Sequence, residues 1–505
     1  MTEPAPAATP DIGRKTFRAA AWAFFSATGK RVLTLIGLTL LARVLAPKDF
    51  GLVGFAMVYL TFIEVVGDLG AASALVYWPD RREDAAQVTF VVNVIAGVFW
   101  FVVSLAAAPW VADFFHEPRV TEVVRVLAVT TLIKFLGNTH DALAQKDLRF
   151  SARSIPELTL TAIKTAAALV LAFLGFGAWS LVWGQIAGLV CWTILLWIVV
   201  PWRPSRHIPA DLFKPMLLYG RNIVAVQMLA TVMFYVDSIA VGRFLGRTAL
   251  GLYEMASRVP DSSVLVLIWV AAQALFPAFS KLHAEGGDVR GAYLVATRCV
   301  SSLTLPASLG LFFLARPIIL VFFGPQWAGA APILSILALY VGFRGVDEVG
   351  NVLKATGRTH TLVWLTVIKT VLLVPAVIVG ARYSATAVAA ALAIVYGTGT
   401  VITTIIAARI IDVPFRSILG AFSRSAQAAA VMSVALFAWM RWTTPLGNVS
   451  QLFGGVLLGA AIYVATLRLL DRQIFEWMRM VLTKKPGASD DLLRQVTGAP
   501  EDTAA

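Results

Sequence analysis

The chain has 505 residues, of which 58% are hydrophobic and only 14% charged, and its mean hydropathy is +0.78. Soluble domains carry about 25% charged residues, so the composition excludes an ordinary soluble protein and gives an all-α, polytopic membrane protein. The formal net charge of +13 would suggest nucleic acid in a soluble chain; here it reads as loop asymmetry and charge within the membrane, and no nucleic-acid partner is expected.

Residues 1–16 are Pro- and Ala-rich and read as a disordered cytoplasmic segment. The apolar run that follows is too long for a signal peptide and lacks a small-residue cleavage site. Apolar runs of about 20 residues are long enough to span a bilayer. Fourteen are predicted, at 17–45, 51–78, 88–112, 120–143, 157–177, 178–201, 215–243, 251–279, 296–323, 330–353, 361–381, 385–408, 421–442 and 448–470. The expected organisation is an N-lobe of helices 1–6 (17–205), a C-lobe of helices 7–12 (206–410), two extra helices (411–470) and a cytoplasmic tail (471–505). With the N-terminus inside, nineteen Lys and Arg fall in inner segments before the tail, including Arg81, Arg82, Lys146, Arg149, Arg298 and Arg424. Outer segments hold seven, or eight with Arg316, so both termini are placed in the cytoplasm. Trp78, Trp110, Trp179, Trp202, Trp327 and Trp442 lie near predicted helix ends, as an aromatic belt would. Cys191 and Cys299 sit in apolar runs and make no metal-ligand spacing.

The chain repeats itself. At an offset of 200, Arg43, Leu45, Gly51, Leu52 and Ala56 recur as Arg243, Leu245, Gly251, Leu252 and Ala256. At 210, Lys134 recurs as Arg344, while Asn138 and Asp141 correspond to Glu348 and Asn351; at 205, Ile163-Lys164-Thr165 recurs as Ile368-Lys369-Thr370. Six spans separate the copies, so they cross in the same direction and form a parallel repeat.

Charges interrupt the spans. A charge at mid-bilayer costs about 2.5–3.5 kcal/mol on insertion scales. Within VGFRGVDEVGNVLK (341–354), Arg344, Asp347, Glu348, Asn351 and Lys354 share one helical face. Such a face should look into a bundle or a wet cavity. Lys30, Arg31, Lys134, Lys164, Arg344 and Lys369 are the candidate cationic lining of a substrate pathway, where they would offset the desolvation of a multiply charged anion. Lys164 and Lys369 have a second explanation, snorkelling to the inner surface. Glu64, Asp68, Asp141, Asp237, Asp347 and Glu348 are either charge partners for those cations or sites that couple transport to H+ or Na+. No GxxxxGK[ST] and no HExxH occurs, and the five histidines form no cluster, so neither an enzyme nor a metal site is expected, and no cofactor beyond the coupling ion.

Several stretches resemble a known family: LLARVLAPKDFGLVGFA (40–56), GDLGAASALV (67–76), ALAQKDLRF (142–150), YVDSIAVGRFLGRTALGLYEMASRVP (235–260), ALFPAFSKL (274–282), FFGPQWAGAAPILSILAL (322–339) and VLKATGR (352–358). As an ordered set they look like the polysaccharide exporters, or Wzx-like flippases, of the multidrug/oligosaccharidyl-lipid/polysaccharide superfamily. The colanic-acid and teichuronic-acid exporters are the nearest type. The resemblance implies two six-helix lobes and transfer of an undecaprenyl-pyrophosphate-linked oligosaccharide across the bacterial cytoplasmic membrane. It also implies work beside membrane lipids, a polysaccharide polymerase and glycosyltransferases. A peptidoglycan-precursor flippase, a multidrug antiporter and a non-transporting scaffold for a polysaccharide synthase are the competing expectations.

Overall fold

In a computed structural model, the structure describes residues 29–284, 288–346, 353–354 and 357–475. The helices are α1 (29–44), α2 (Pro47–Gly67), α3 (Ala71–Tyr77), α4 (Arg82–Phe115), α5 (Val120–Leu127), α6 (Val129–Lys146), α7 (Phe150–Phe173) and α8 (Ala178–Val199). They continue with α9 (Ala210–Ala284), α10 (Val289–Phe322), α11 (Ala330–Val346), α12 (Thr359–Ala381), α13 (Ala385–Ile410), α14 (Phe415–Trp442) and α15 (Gly447–Leu470). Among the described residues there is no strand. Ten of these helices are long and apolar enough to cross a membrane by themselves, and the protein is a multi-pass membrane protein.

Within the described residues, each of the fourteen predicted spans coincides with helix, with three local differences; residues 17–28 of the first span and 347–352 of the tenth lie outside them. The second span divides into α2 and α3 because Leu69 and Gly70 take left-handed backbone angles, φ 48° and 71°. The short α3 is then closed by Lys146, whose ammonium donates to the carbonyls of Leu75 (2.8 Å) and Trp78. The fourth span divides at Ala128 into α5 and α6. The seventh and eighth spans run together as the 75-residue α9, broken by Gly246 at φ 81°, ψ −177°, a conformation that a side chain would resist.

The chain forms two compact units, Met1–Gly251 and Leu252–Ala505. In the first, the beginning of α9 packs onto the preceding helices: Leu212 and Met216 join a core with Leu75, Val88 and Leu143. Tyr219 stacks on Tyr77 with centroids 4.5 Å apart, and Asp211 pairs with Arg81. Between membrane helices, burial gains little over lipid, so close packing and cross-helix hydrogen bonds must do the holding. Accordingly, Gly184 and Gly188 of α8 lie directly against the α7 backbone at Lys164 and Leu160. Thr193 donates to the Ile133 carbonyl at 2.9 Å, and the Trp197 indole to Leu136 at 3.0 Å. In the second unit, Ser308 donates to Ala338 at 2.6 Å and Tyr463 to Ser302 at 2.7 Å. α13 starts at Ser384, whose hydroxyl accepts the Ala387 N–H at 3.0 Å.

The outward faces are apolar, for example Ile95, Val98, Phe99 and Val102 on α4. Trp110 and Trp442 are exposed at helix ends and suit an interfacial belt, whereas Trp202 and Trp327 are buried and do not. Trp202 packs edge-on against Phe90 and His140 instead.

The two copies of the repeat motif meet within the first unit. A Cβ on Gly51 would lie 1.7 Å from the Arg247 carbonyl oxygen, and one on Gly251 would lie 1.9 Å from that of Pro47. Arg247 stands four residues before Gly251, and Pro47 four before Gly51. Each copy thus presents its glycine to the same position of the other, the reciprocal contact that a two-fold relation between the copies requires. The seam is flanked by Arg247, whose guanidinium pairs with Glu117 at 3.3 Å, and by Arg243, which contacts His116.

Candidate functional site

The first unit carries a connected charged face built by α1, α2, α6 and α7. Lys134 donates to Glu64 at 2.5 Å, linking α6 to α2. Two turns further along α6, Asp141 accepts from Arg153 of α7 at 3.0 Å. Arg153 lies 3.7 Å from Glu157, which accepts from Lys30 of α1 at 3.2 Å. Asp68, at the break between α2 and α3, accepts the Ala72 N–H at 3.3 Å and lies within electrostatic reach of Lys134. All seven side chains are half-buried. Arg31 is also half-buried, with no ion-pair partner among the described residues.

Local sequence accounts for this face. The spacing of seven between Lys134 and Asp141 puts both on one side of α6. α7 begins at Phe150 and runs through Pro156, so Arg153 and Glu157 form an i,i+4 pair on its first turns. The predicted span began at Glu157, so it left Arg153 outside the helix and the i,i+4 pair unread. Lys164 continues along α7, with its stem against Gly188 of α8.

In the second unit, Arg344 on α11 donates to the Tyr340 hydroxyl at 2.9 Å. Its guanidinium lies 5.7 Å from the Tyr340 ring and 5.9 Å from that of Tyr396 on α13, a cation–π arrangement. Asp261 of α9 is within electrostatic reach of it. Asp261 belongs to a charged face with Glu254 and Arg258, spaced by four and three. That spacing is visible in the sequence, although no prediction used it. Lys369 on α12 lays its stem across Gly399 of α13. Asp237, in the first half of α9, accepts from the Ser238 N–H at 2.8 Å. Asp347 and Glu348 lie outside the described residues.

His140 is buried in α6 between Trp197 (4.5 Å) and Trp202 (5.5 Å). Among the described residues, no group of three or more His, Cys, Asp or Glu could hold a metal ion.

Two apolar cavities accompany the charges in the second unit. One, of about 380 Å³, lies between α10, α11, α13 and α14 and is lined by Leu305, Phe343, Phe415 and Phe422. The other, of about 520 Å³, follows α10 and α15 from Ser302 and Leu303 to Leu467. Neither has a charged lining residue. The chain therefore combines uncharged, mainly apolar recesses with paired ions in its helices.

Residues 40–332 match the family model described as "Polysaccharide biosynthesis protein". The chain belongs to that family. The succinoglycan biosynthesis transport protein ExoT of Rhizobium meliloti is 26% identical over 487 residues, covering 95% of this chain and 99% of its own. The teichuronic acid biosynthesis protein TuaB of Bacillus subtilis is 26% identical over 353 residues, 69% of this chain and 73% of its own. The lipopolysaccharide biosynthesis protein WzxC of Escherichia coli is 23% identical, covering 74% and 76%. Among solved structures, the lipid II flippase MurJ in an inward closed conformation superposes with a TM-score of 0.73 at 17% identity, over 91% of this chain and 100% of that one. An inward-facing multidrug resistance MATE family transporter gives 0.61 at 15% identity, over 76% and 94%. These superpositions show a shared fold and nothing further. The family match takes in both copies of the glycine motif and the Lys134–Glu64 and Asp141–Arg153 pairs.

The Lys134–Glu64 pair invites a direct test of its structural weight. Removing either partner leaves a charge unpaired in the helix bundle. Lys134→Gln and Glu64→Gln are each expected to destabilise the protein, and the double variant less than their sum, with a coupling energy of about 0.5–3 kcal/mol. Unfolding measured in detergent reads the cycle, and strict additivity would show that the contact holds nothing.

Proposed function

We propose that the protein is a non-enzymatic transporter that flips an undecaprenyl-pyrophosphate-linked oligosaccharide across the bacterial cytoplasmic membrane during surface polysaccharide or exopolysaccharide biosynthesis. The observation that carries this proposal is the near end-to-end alignment with a succinoglycan transport protein, 95% of this chain and 99% of that one. The intramembrane chemistry supports it. Lys30, Arg31, Lys134, Lys164, Arg344 and Lys369 can offset the desolvation of a diphosphate, and the apolar recesses can accept a prenyl chain.

Lys30 and Lys134 meet carboxylates and Arg344 meets aromatic rings, so cargo binding proceeds by exchange. Lys134 leaves Glu64 to contact a phosphate oxygen, and the freed carboxylate takes up H+ or Na+. That exchange would tie cargo entry to an ion gradient, with Glu64 and Asp141 as the coupling groups. Both termini lie in the cytoplasm in this proposal, which places the Gly51–Gly251 seam on the outer side. There it closes one face during alternating access. The cargo arrives from glycosyltransferases and passes on to a polysaccharide polymerase.

A viable deletion strain with a normal cell wall, which has lost surface polysaccharide and regains it on complementation, is the expected genetic result. Loss of viability through failed wall synthesis would favour a peptidoglycan-precursor flippase. Altered resistance to organic cations, with polysaccharide intact, would favour a multidrug antiporter.

A further inference from the structure

The second unit holds a polar cavity that the transport cycle above does not use. It has a volume of about 220 Å³ and lies between the starts of α10 and α14 and the segment that follows α15. Arg298, Arg424 and Gln473 line it, together with Ser417, Gly420 and Ala421. Asp471, fully buried beside it, accepts two N–H groups from Arg298 and also the Ile474 N–H at 3.4 Å. Arg298 donates a further bond to Gln473 at 3.1 Å. Arg424 approaches the same carboxylate only at 3.7 Å. Its side chain is 48% exposed and has no hydrogen-bond acceptor among the described residues.

Two guanidinium groups therefore converge on one carboxylate that Arg298 already occupies. The cavity keeps a net positive charge and a donor fork with open valence. A planar fork of this kind matches phosphate oxygens two at a time. The small residues of α14 keep the approach clear, and a Cβ on Gly420 would meet nothing within 4 Å. One turn along α10 from Arg298, Ser302 opens the 520 Å³ apolar groove, and Phe475 lines that groove two residues after Gln473. Positive charge thus stands close along the chain to an apolar groove.

We propose that the Arg298–Arg424 cavity binds the phosphate headgroup of a membrane lipid from the leaflet at this end of the helices. Arg424 supplies the open fork, and Arg298, held by Asp471, supplies fixed charge. The site is separate from the face carrying Lys134 and stands whether or not the chain transports a lipid-linked sugar.

The full-length protein is reconstituted in phosphatidylcholine nanodiscs and titrated with phosphatidylglycerol, or with undecaprenyl diphosphate, with bound lipid counted by native mass spectrometry. The wild type is expected to retain one anionic lipid in preference to phosphatidylcholine. Arg424→Gln should weaken that retention about tenfold, and Arg424→Lys, which keeps charge but loses the fork, should fall between. Gly420→Phe fills the cavity without changing charge and should also release the lipid. Displacement by millimolar inorganic pyrophosphate would support a site satisfied by the phosphate group alone. Retention against it would support a site that needs the lipid chain as well. Equal retention by Arg424→Gln and Gly420→Phe at wild-type melting temperature, or no preference for anionic lipid, overturns the assignment.

Discussion

Replacing Gly51 with valine is expected to abolish polysaccharide export while the protein still inserts. Its Cβ would lie 1.7 Å from the Arg247 carbonyl oxygen, and a Cβ on Gly251 would lie 1.9 Å from the carbonyl of Pro47. Both obstacles are backbone atoms, so no rotamer change relieves them. Restoring an ordinary carbon–oxygen contact of about 3.3 Å forces α2 and the motif in α9 apart by roughly 1.5 Å along the seam. A seam that cannot close leaves one face of the transporter permanently open, and alternating access requires that each face close in turn. Gly251→Val should fail in the same way, because the two contacts are reciprocal. Gly54→Ala is the control. Its new Cβ would meet only the Leu250 side chain, at 3.2 Å, which can shift, and export should survive. Surface polysaccharide in complemented deletion strains, normalised to protein in the membrane fraction, reads all three. Wild-type export by Gly51→Val would remove the seam from the cycle.

Joint neutralisation of Lys134 and Arg344 carries the next largest expectation. The two occupy equivalent positions in the repeat, one in each compact unit. A hydrogen bond to a charged group contributes about 1.5–3 kcal/mol, so losing two such contacts to a diphosphate should slow transport by roughly 10²–10⁴-fold. Lys134→Gln with Arg344→Gln should therefore insert normally and export almost nothing. Adding Glu64→Gln removes the carboxylate left unpaired by the first change. If export returned with that third substitution, Lys134 would be a structural partner of Glu64 and no part of the cargo route.

The spans were legible because about twenty apolar residues are needed to cross a bilayer, and hydropathy records that need directly. The interruptions at Leu69–Gly70 and Gly246 were not, since a positive φ leaves no mark on hydropathy, and the division at Ala128, where the backbone stays right-handed, leaves none either. Pro156 was read as a boundary because proline removes a backbone donor. It is tolerated early in α7, and Arg153 was consequently assigned outside the helix that carries it, with Glu157 at the first position of the predicted span. Tyr340 and Tyr396 look like core aromatics in an apolar run, and only their placement around Arg344 reveals a polar use. The glycine motif was visible as two equivalent copies. An offset of 200 residues states equivalence without adjacency, so the contact between the copies required coordinates. Charge pairing was one of two readings open for Glu64, and its contact with Lys134 required coordinates; Glu157, the partner of Lys30, stood at the first position of a predicted span and was not among the candidates.

Transport itself is tested most directly in proteoliposomes that contain only the purified protein and a fluorescent undecaprenyl-pyrophosphate oligosaccharide. With a membrane-impermeant quencher outside, label starting in the inner leaflet should become quenchable far faster than in protein-free vesicles, and the Lys134→Gln, Arg344→Gln variant should match the protein-free rate. Identical rates for wild-type and protein-free vesicles, with correctly inserted protein and an ion gradient applied, would contradict a flippase.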